Sequence, residues 1–220
     1  MKITFICLAN SKKHGERCIA GIELEKNSNN QWREIRNEDG KPKWIRPISS
    51  GENGQIEEKL VKDVHIFDVV EIDLIQRMPN GYQSENVLFN TTSLQIIESI
   101  KPQKTTLERL ITTDNDCLFD NRGKAIPIEK IDRLQNSLCL ISIQNPICRF
   151  DDIKYQFRLA FDYNGVNYDL PITDYKFLKS RVRKENEPII LNEQIYACVS
   201  VGIAHKDWHY KLVAGMIYEF

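Results

Sequence analysis

The sequence predicts a mainly β chain of two small five-stranded barrels joined by a short helical linker, and three observations predict it. Runs rich in Val, Ile, Phe and Tyr recur along most of the chain between polar, Gly- and Asn-containing turns, the pattern of successive strands. The segment around Asn164-Gly165 joins two such runs as a two-residue hairpin, because both turn positions need positive φ and Asn-Gly supplies it. The runs of the second half come in the order strand, strand, strand, helix, strand, strand, with comparable strand candidates in the first half.

The elements follow from local pattern. Residues 2–9 form a first strand, and the polar turn Asn10-Ser11-Lys12-Lys13-His14-Gly15 leads into a second at 17–24. A short strand at 43–48, Lys-Trp-Ile-Arg-Pro-Ile, lies between loops. A longer strand at 64–75 and another at 93–100 flank the polar stretch at Pro79-Asn80-Gly81. Residues 105–111 and 127–134 carry apolar residues three and four apart and predict short helices, Pro127 being tolerated in a first turn. Between them, 114–123 is rich in Asp and Asn and predicts a loop. The second half predicts a long strand at 138–147, the hairpin 155–163 with 166–170, and a helix at 173–183. Thr173 would cap that helix, and Tyr175, Leu178 and Val182 would share a face. Strands at 194–203 and 211–218 complete the set. This order is that of an OB (oligonucleotide/oligosaccharide-binding) barrel. The expected division is 1–103 for the first barrel, 104–136 for the linker and 137–220 for the second.

Composition bounds the rest. With 220 residues the chain can bury a real core, and 28% charged with 41% hydrophobic residues is an ordinary folded composition. A net charge of -1 and a pI near 6.4 exclude a uniformly basic nucleic-acid coat while leaving room for a local basic face. The apolar start, 3–8, is too short for a secretory h-region, and no run approaches the ~20 apolar residues that span a bilayer. The expectation is a cytoplasmic protein without a membrane partner. Cysteines 7, 18, 117, 139, 148 and 198 lie far apart and read as reduced, mostly buried small hydrophobes.

Three stretches carry a family likeness. They are Cys7-Leu8-Ala9-Asn10-Ser11-Lys12-Lys13-His14-Gly15-Glu16-Arg17-Cys18-Ile19-Ala20-Gly21, then Trp44-Ile45-Arg46-Pro47-Ile48-Ser49, then Tyr210-Lys211-Leu212-Val213-Ala214-Gly215. Together they resemble the bacterial family described as the dual OB-containing domain, over nearly the whole chain. The resemblance implies two OB folds; it implies no particular activity, since one fold hosts many functions.

The candidate ligand residues form two clusters. The first is the turn Asn10, Ser11, Lys12, Lys13, His14 with Arg17, together with Trp44 and Arg46 on the short strand. Backbone N–H groups and short polar side chains can hold an anion, and the planar Arg46 fork suits phosphate or a base edge. In an OB barrel strands two and three form the binding face, which would carry Arg17 and Arg46. The bland alternative is a solvated hairpin tip with Arg46 paired to a carboxylate such as Glu16 or Glu23. The second cluster is His205-Lys206-Asp207-Trp208-His209-Tyr210-Lys211, with Trp208 or Tyr210 as a stacking surface and Lys211 as a cation. Its two histidines, four apart, would share a face only in a helix, and the pattern is that of a turn. There Trp208 could equally cover a barrel end. The basic run Lys179, Arg181, Arg183, Lys184 is explained by the dipole at a helix C-terminus.

Metal and catalytic signatures are lacking. Cys7, His14 and Cys18 match no zinc spacing, no Cys-x-x-Cys occurs, and no P-loop, nucleophile-elbow or dinucleotide motif is present. The expectations are therefore no metal, no cofactor and no catalytic residue. The leading function is binding of single-stranded nucleic acid, DNA or RNA, or of a nucleotide-like anion. The alternatives are a protein-interaction adaptor, and an enzyme on a nucleotide or modified base that uses the 10–18 turn with a Cys18–His14 pair.

Overall fold

The computed structural model describes the chain except residues 14, 52, 113–115, 183–186 and 219–220, and of Lys13 the backbone alone. The first half lays down β1 (Lys2–Lys13), β2 (Glu16–Lys26), β3 (Trp32–Glu34), β4 (Trp44–Ile48), α1 (Glu58–Val61), β5 (Asp68–Arg77), β6 (Asn86–Phe89) and β7 (Gln95–Ser99). Hydrogen bonding runs β1-β2-β4-β6-β5, and β5 returns to β1, so five strands close into a barrel. The β4–β6 pair is parallel, as an OB barrel requires of its third and fifth strands. The short α1 occupies the OB helix position, where the sequence predicted only an irregular connection. The sequence reading also missed β3 and β6, which are too short to show a period.

In the connecting segment α2 (Lys104–Leu110) matches the predicted first helix, and the second is a 3₁₀ helix, Ile128–Arg133, directly after Pro127. The second half contains β8 (Ala125–Pro127), β9 (Leu138–Gln144), β10 (Ile147–Asp151), β11 (Gln156–Tyr163), β12 (Val166–Pro171), α3 (Tyr175–Ser180), β13 (Gln194–His205) and β14 (Trp208–Ile217). Its two sheets, β10-β11-β12 and β8-β14-β13-β9, are linked by a single parallel bridge, Ile172 to Val213. The predicted strand 138–147 is broken at Asn145, whose φ is 49°. On either side of that break, β9 and β10 are the two arms of one bent first strand, and the order is again that of an OB barrel. The Asn164-Gly165 turn is present with φ of 52° and 75°, and Asp162 accepts from the Gly165 N–H at 2.9 Å. The cap of α3 is Asp174, not Thr173: the Asp174 carboxylate accepts from Phe177 N–H at 2.9 Å. Phe177, rather than the predicted stripe, is the buried anchor of that helix.

Strand alternation explains why these runs are apolar on both sides. In β1, Ile3, Phe5 and Cys7 point into the first barrel, while Ile6 and Leu8 point out toward the second. In β9, Cys139, Ile141 and Ile143 line the second barrel, while Leu138 and Leu140 point toward the first. Tyr196 and Cys198 of β13 do the same. The outward sets, with Trp44 and with Leu107 and Leu110 of α2, make a third core between the barrels. Each fully buried Leu or Ile there contributes about 1.5–3 kcal/mol, so the barrels are held as one body. Backbones approach closely where β14 meets β1: a Cβ at Gly215 would be driven into the Leu8 carbonyl oxygen, so only glycine fits. Among the described residues no helix is long and apolar enough to cross a membrane.

Candidate ligand-binding cleft

The barrels meet over a cleft of about 330 Å³. Its near wall comes from the first barrel: Ser11, Lys12 and Cys18 from the β1–β2 hairpin, Arg46 on β4, and Gln83 from the β5–β6 loop. Its far wall is the second barrel's last hairpin, with Ser200, Val201, Ile203, His205, Tyr210 and Leu212. Two clusters nearly two hundred positions apart in sequence thus share one site. A β-bulge between Val201 and Ala204 aims that hairpin. It also turns the Gly202 carbonyl toward the first barrel, where the Tyr82 hydroxyl donates to it at 2.9 Å. His209 Nδ1 lies 2.9 Å from the same oxygen, and its ring meets Tyr82 edge-on with centroids 4.8 Å apart. The β5–β6 loop and the β13–β14 hairpin are therefore clamped together.

The floor is a buried ion pair. Arg46 is 3% exposed; its Nη2 donates to Ser137 Oγ at 2.7 Å and Ser200 Oγ at 3.4 Å and stands 3.1 Å from Glu85 Oε1. The Ser137 hydroxyl donates to the same Glu85 oxygen. Arg46 and Glu85 come from the first half, Ser137 and Ser200 from the second, so this network joins the barrels beneath the cleft. Its partner is a carboxylate, but Glu85 rather than Glu16 or Glu23. Nε of Arg46 has no partner among the described residues.

The other expected site residues divide sharply by burial. Ser11 and Lys12 line the cleft, and Lys12 is exposed. Asn10 turns away, its Nδ2 donating to the Val61 and Val64 carbonyls at 3.1 and 2.8 Å, and so it holds α1. His14 and the Lys13 side chain lie outside the described residues, and with them the Cys18–His14 pairing. Trp44 is 6% exposed within the inter-barrel core, which corrects its reading as a stacking surface. Arg17 is fully buried on the opposite side of β2 from Cys18, against the Tyr175 ring. Lys211 is also fully buried: its Nζ donates to the Asn121 and Gly123 carbonyls and to Asn121 Oδ1, and it lies 4.9 Å from the Tyr168 ring centre. Burial pushes that ammonium down to about 8. It fastens the 121–123 loop and presents no charge to solvent, because three oxygen acceptors already surround it. Trp208, at 43% exposure, and Tyr210, at 37%, remain available on the hairpin.

The six cysteines are free thiols. Burial raises Cys7, Cys139, Cys148 and Cys198 well above the usual thiol range. Cys7 lies opposite Gly21 and Cys18 opposite Ser11, so the pairing of β1 with β2 does not make the two cysteines neighbours. Among the described residues no group of three His, Cys, Asp or Glu side chains could hold a metal. Sequence reasoning missed Gln83, Ser200 and Ile203, which are ordinary loop and strand residues without local signal.

This double barrel, with its shared core, matches over residues 3–216 the family described as Dual OB-containing domain. The chain belongs to that family. Among solved structures, this dual OB chain is similar over its full length to "Crystal structure of the tetrameric p202 HIN2", at 7% identity and a TM-score of 0.35, covering 92% of that chain. It is likewise similar to "Molecular basis for abrogation of activation of pro-inflammatory cytokines", at 9% identity and a TM-score of 0.36, covering 93% of that chain. No curated protein matches the sequence.

Proposed function

We propose that this dual OB chain binds single-stranded nucleic acid, or a nucleotide unit of it, in the cleft between its barrels. The observation that carries the reading is position: the cleft lies on the face formed by OB strands two and three, between the hairpin and loop that flank ligands in this fold. Tyr210 on its wall and Trp208 at the hairpin tip offer flat faces for bases. Lys12 on the cleft wall and Lys206 in the β13–β14 turn, both exposed, offer mobile positive charge. A volume of 330 Å³ sits at the small end of the roughly 300–1,000 Å³ usual for ligand pockets. An OB groove that tracks about 4–16 nucleotides is open, so this cleft suits a base or two with the rest of the strand outside. Residues 1–103 and 137–220 would act as the two walls, with 104–136 as the brace.

The test is fluorescence anisotropy with short labelled DNA and RNA strands at several salt concentrations. Trp208→Ala should weaken binding by about 1–3 kcal/mol, a larger effect than its change in stability, since the residue is 43% exposed and outside the buried core; a melting curve run alongside separates the two. No binding of any strand at low salt would refute the proposal. A protein-interaction module is the second reading, and one observation favours it. Strand β7 is exposed throughout and carries Ile96 and Ile97 on an open sheet edge.

A further inference from the structure

A second feature lies on the other side of β2, where the two halves meet around Tyr175. The Arg17 guanidinium stacks on the Tyr175 ring, and Lys179 Nζ stands 5.7 Å from the centre of the same ring. Lys62, His65, Lys176 and Lys179 surround a small hollow of about 70 Å³ beside it. The Tyr175 hydroxyl, donating to Glu58 at 2.7 Å, holds that carboxyl below the usual range, and Arg17, Lys12 and Lys179 act on it in the same direction. Five cations, Lys12, Arg17, Lys62, Lys176 and Lys179, therefore converge in a chain whose net charge is only -1.

Three carboxylates, Glu58, Asp174 and Glu16, act on Arg17 at this face, fewer than the five cations. Asp174 is 2% exposed and spends its oxygens on the Phe177 and Met216 N–H groups. Asp68 accepts from His65 N–H, Glu57 pairs with Lys59, and Glu16 accepts from Glu58 N–H. Arg17 itself is fully buried, and Nε, Nη1 and Nη2 have no hydrogen-bond partner among the described residues; Glu58, held by Tyr175, stops 4.0 Å away. An ammonium or guanidinium so placed costs several kcal/mol unless acceptors reach it. The donors that a ligand can reach are those of the exposed Lys12, Lys62, Lys176 and Lys179, and with Arg17 behind them the face carries positive charge in excess.

We propose that the face around Tyr175 is a phosphate-binding site, over which the backbone of a strand seated in the cleft continues. Lys12 links the two, because it lines the cleft and also faces Glu58. Lys62, Lys176 and Lys179 contact phosphate oxygens from solvent. Arg17 lies behind Tyr175 as a buried charge, weakly screened. The proposal rests on the nucleic-acid reading for its ligand, but the phosphate chemistry can be tested alone.

The probe is inorganic tripolyphosphate, titrated calorimetrically into the full chain. Saturable binding is expected, at least tenfold weaker in Lys176→Gln/Lys179→Gln and unchanged in Trp208→Ala. Both lysines are exposed on α3, so the double variant should fold, and its melting curve checks this. With a labelled single strand, the salt slope should fall by about 0.7 for each phosphate that the variant no longer neutralises. No tripolyphosphate binding, or equal binding by the double variant, overturns the site. An oligonucleotide salt slope that the double variant leaves intact also overturns it, while leaving the cleft proposal standing. Tripolyphosphate binding that the double variant abolishes, with no oligonucleotide bound, supports the site and removes the nucleic-acid reading instead.

Discussion

Arg46→Met should unfold the protein more readily rather than merely weaken a ligand. The substitution strands Glu85, 4% exposed, with only the Ser137 hydroxyl and, at 3.4 Å, the Ser137 N–H among the described residues to hold its charge. Breaking a buried pair from one side costs about 3–5 kcal/mol, because the remaining ion is desolvated without its counter-charge. At this chain length each kcal/mol lowers the melting temperature by about 2–4 °C, so a drop of roughly 6–20 °C is expected. Removing both charges, Arg46→Met with Glu85→Met, leaves no buried ion in this network. What remains is the Ser137 hydroxyl, fully buried and now without its acceptor, at about 1–3 kcal/mol. The double variant should therefore be more stable than Arg46→Met alone. The assay is urea denaturation followed by tryptophan fluorescence, with circular dichroism to verify that both probes report one transition. Single losses below about 1 kcal/mol, or a double loss equal to the sum of the singles, would refute the argument that this buried pair anchors the network beneath the cleft.

Lys211 gives a pH test. Its folded value near 8 lies below its ordinary 10.5, so above pH 8 the unfolded chain holds the proton longer and stability rises with pH, by at most about 3 kcal/mol up to 10.5. The buried thiols act oppositely above about pH 8.5, which is why the informative curve is wild type minus Lys211→Met; a flat difference would refute the buried-ammonium reading. Gly215→Ala should lose about 1–3 kcal/mol or fail to fold, measured by thermal melting, because the new methyl meets backbone that cannot yield.

The fold was legible where local chemistry decides it. Asn164-Gly165 announces its turn without help from the rest of the chain, and the strand order of the second half follows from apolar runs alone. The helix at α3 was found but its cap misplaced, since Asp174 is fixed by Phe177 and Met216, the latter 42 positions away. The site was harder to read because residue type suggests exposure for Arg and Lys. Arg46 reaches Ser137 and Ser200, 91 and 154 positions distant, and Lys211 reaches Asn121, 90 distant. No window of sequence contains such partners. One hint was present: Trp44-Ile45-Arg46-Pro47-Ile48 has no polar face besides Arg46, which fits a strand covered on both sides.

The core between the barrels has a bearing on how such a chain can be inherited. Leu8, Ile22 and Trp44 from one half and Leu140, Tyr196 and Cys198 from the other would all face water if either half were copied into a new gene by itself. A recombination event that separated them would produce two sticky fragments, each subject to proteolysis before it could acquire a use. Selection should therefore transmit the pair as a single cassette, and the family pattern runs unbroken from residue 3 to residue 216 across both barrels.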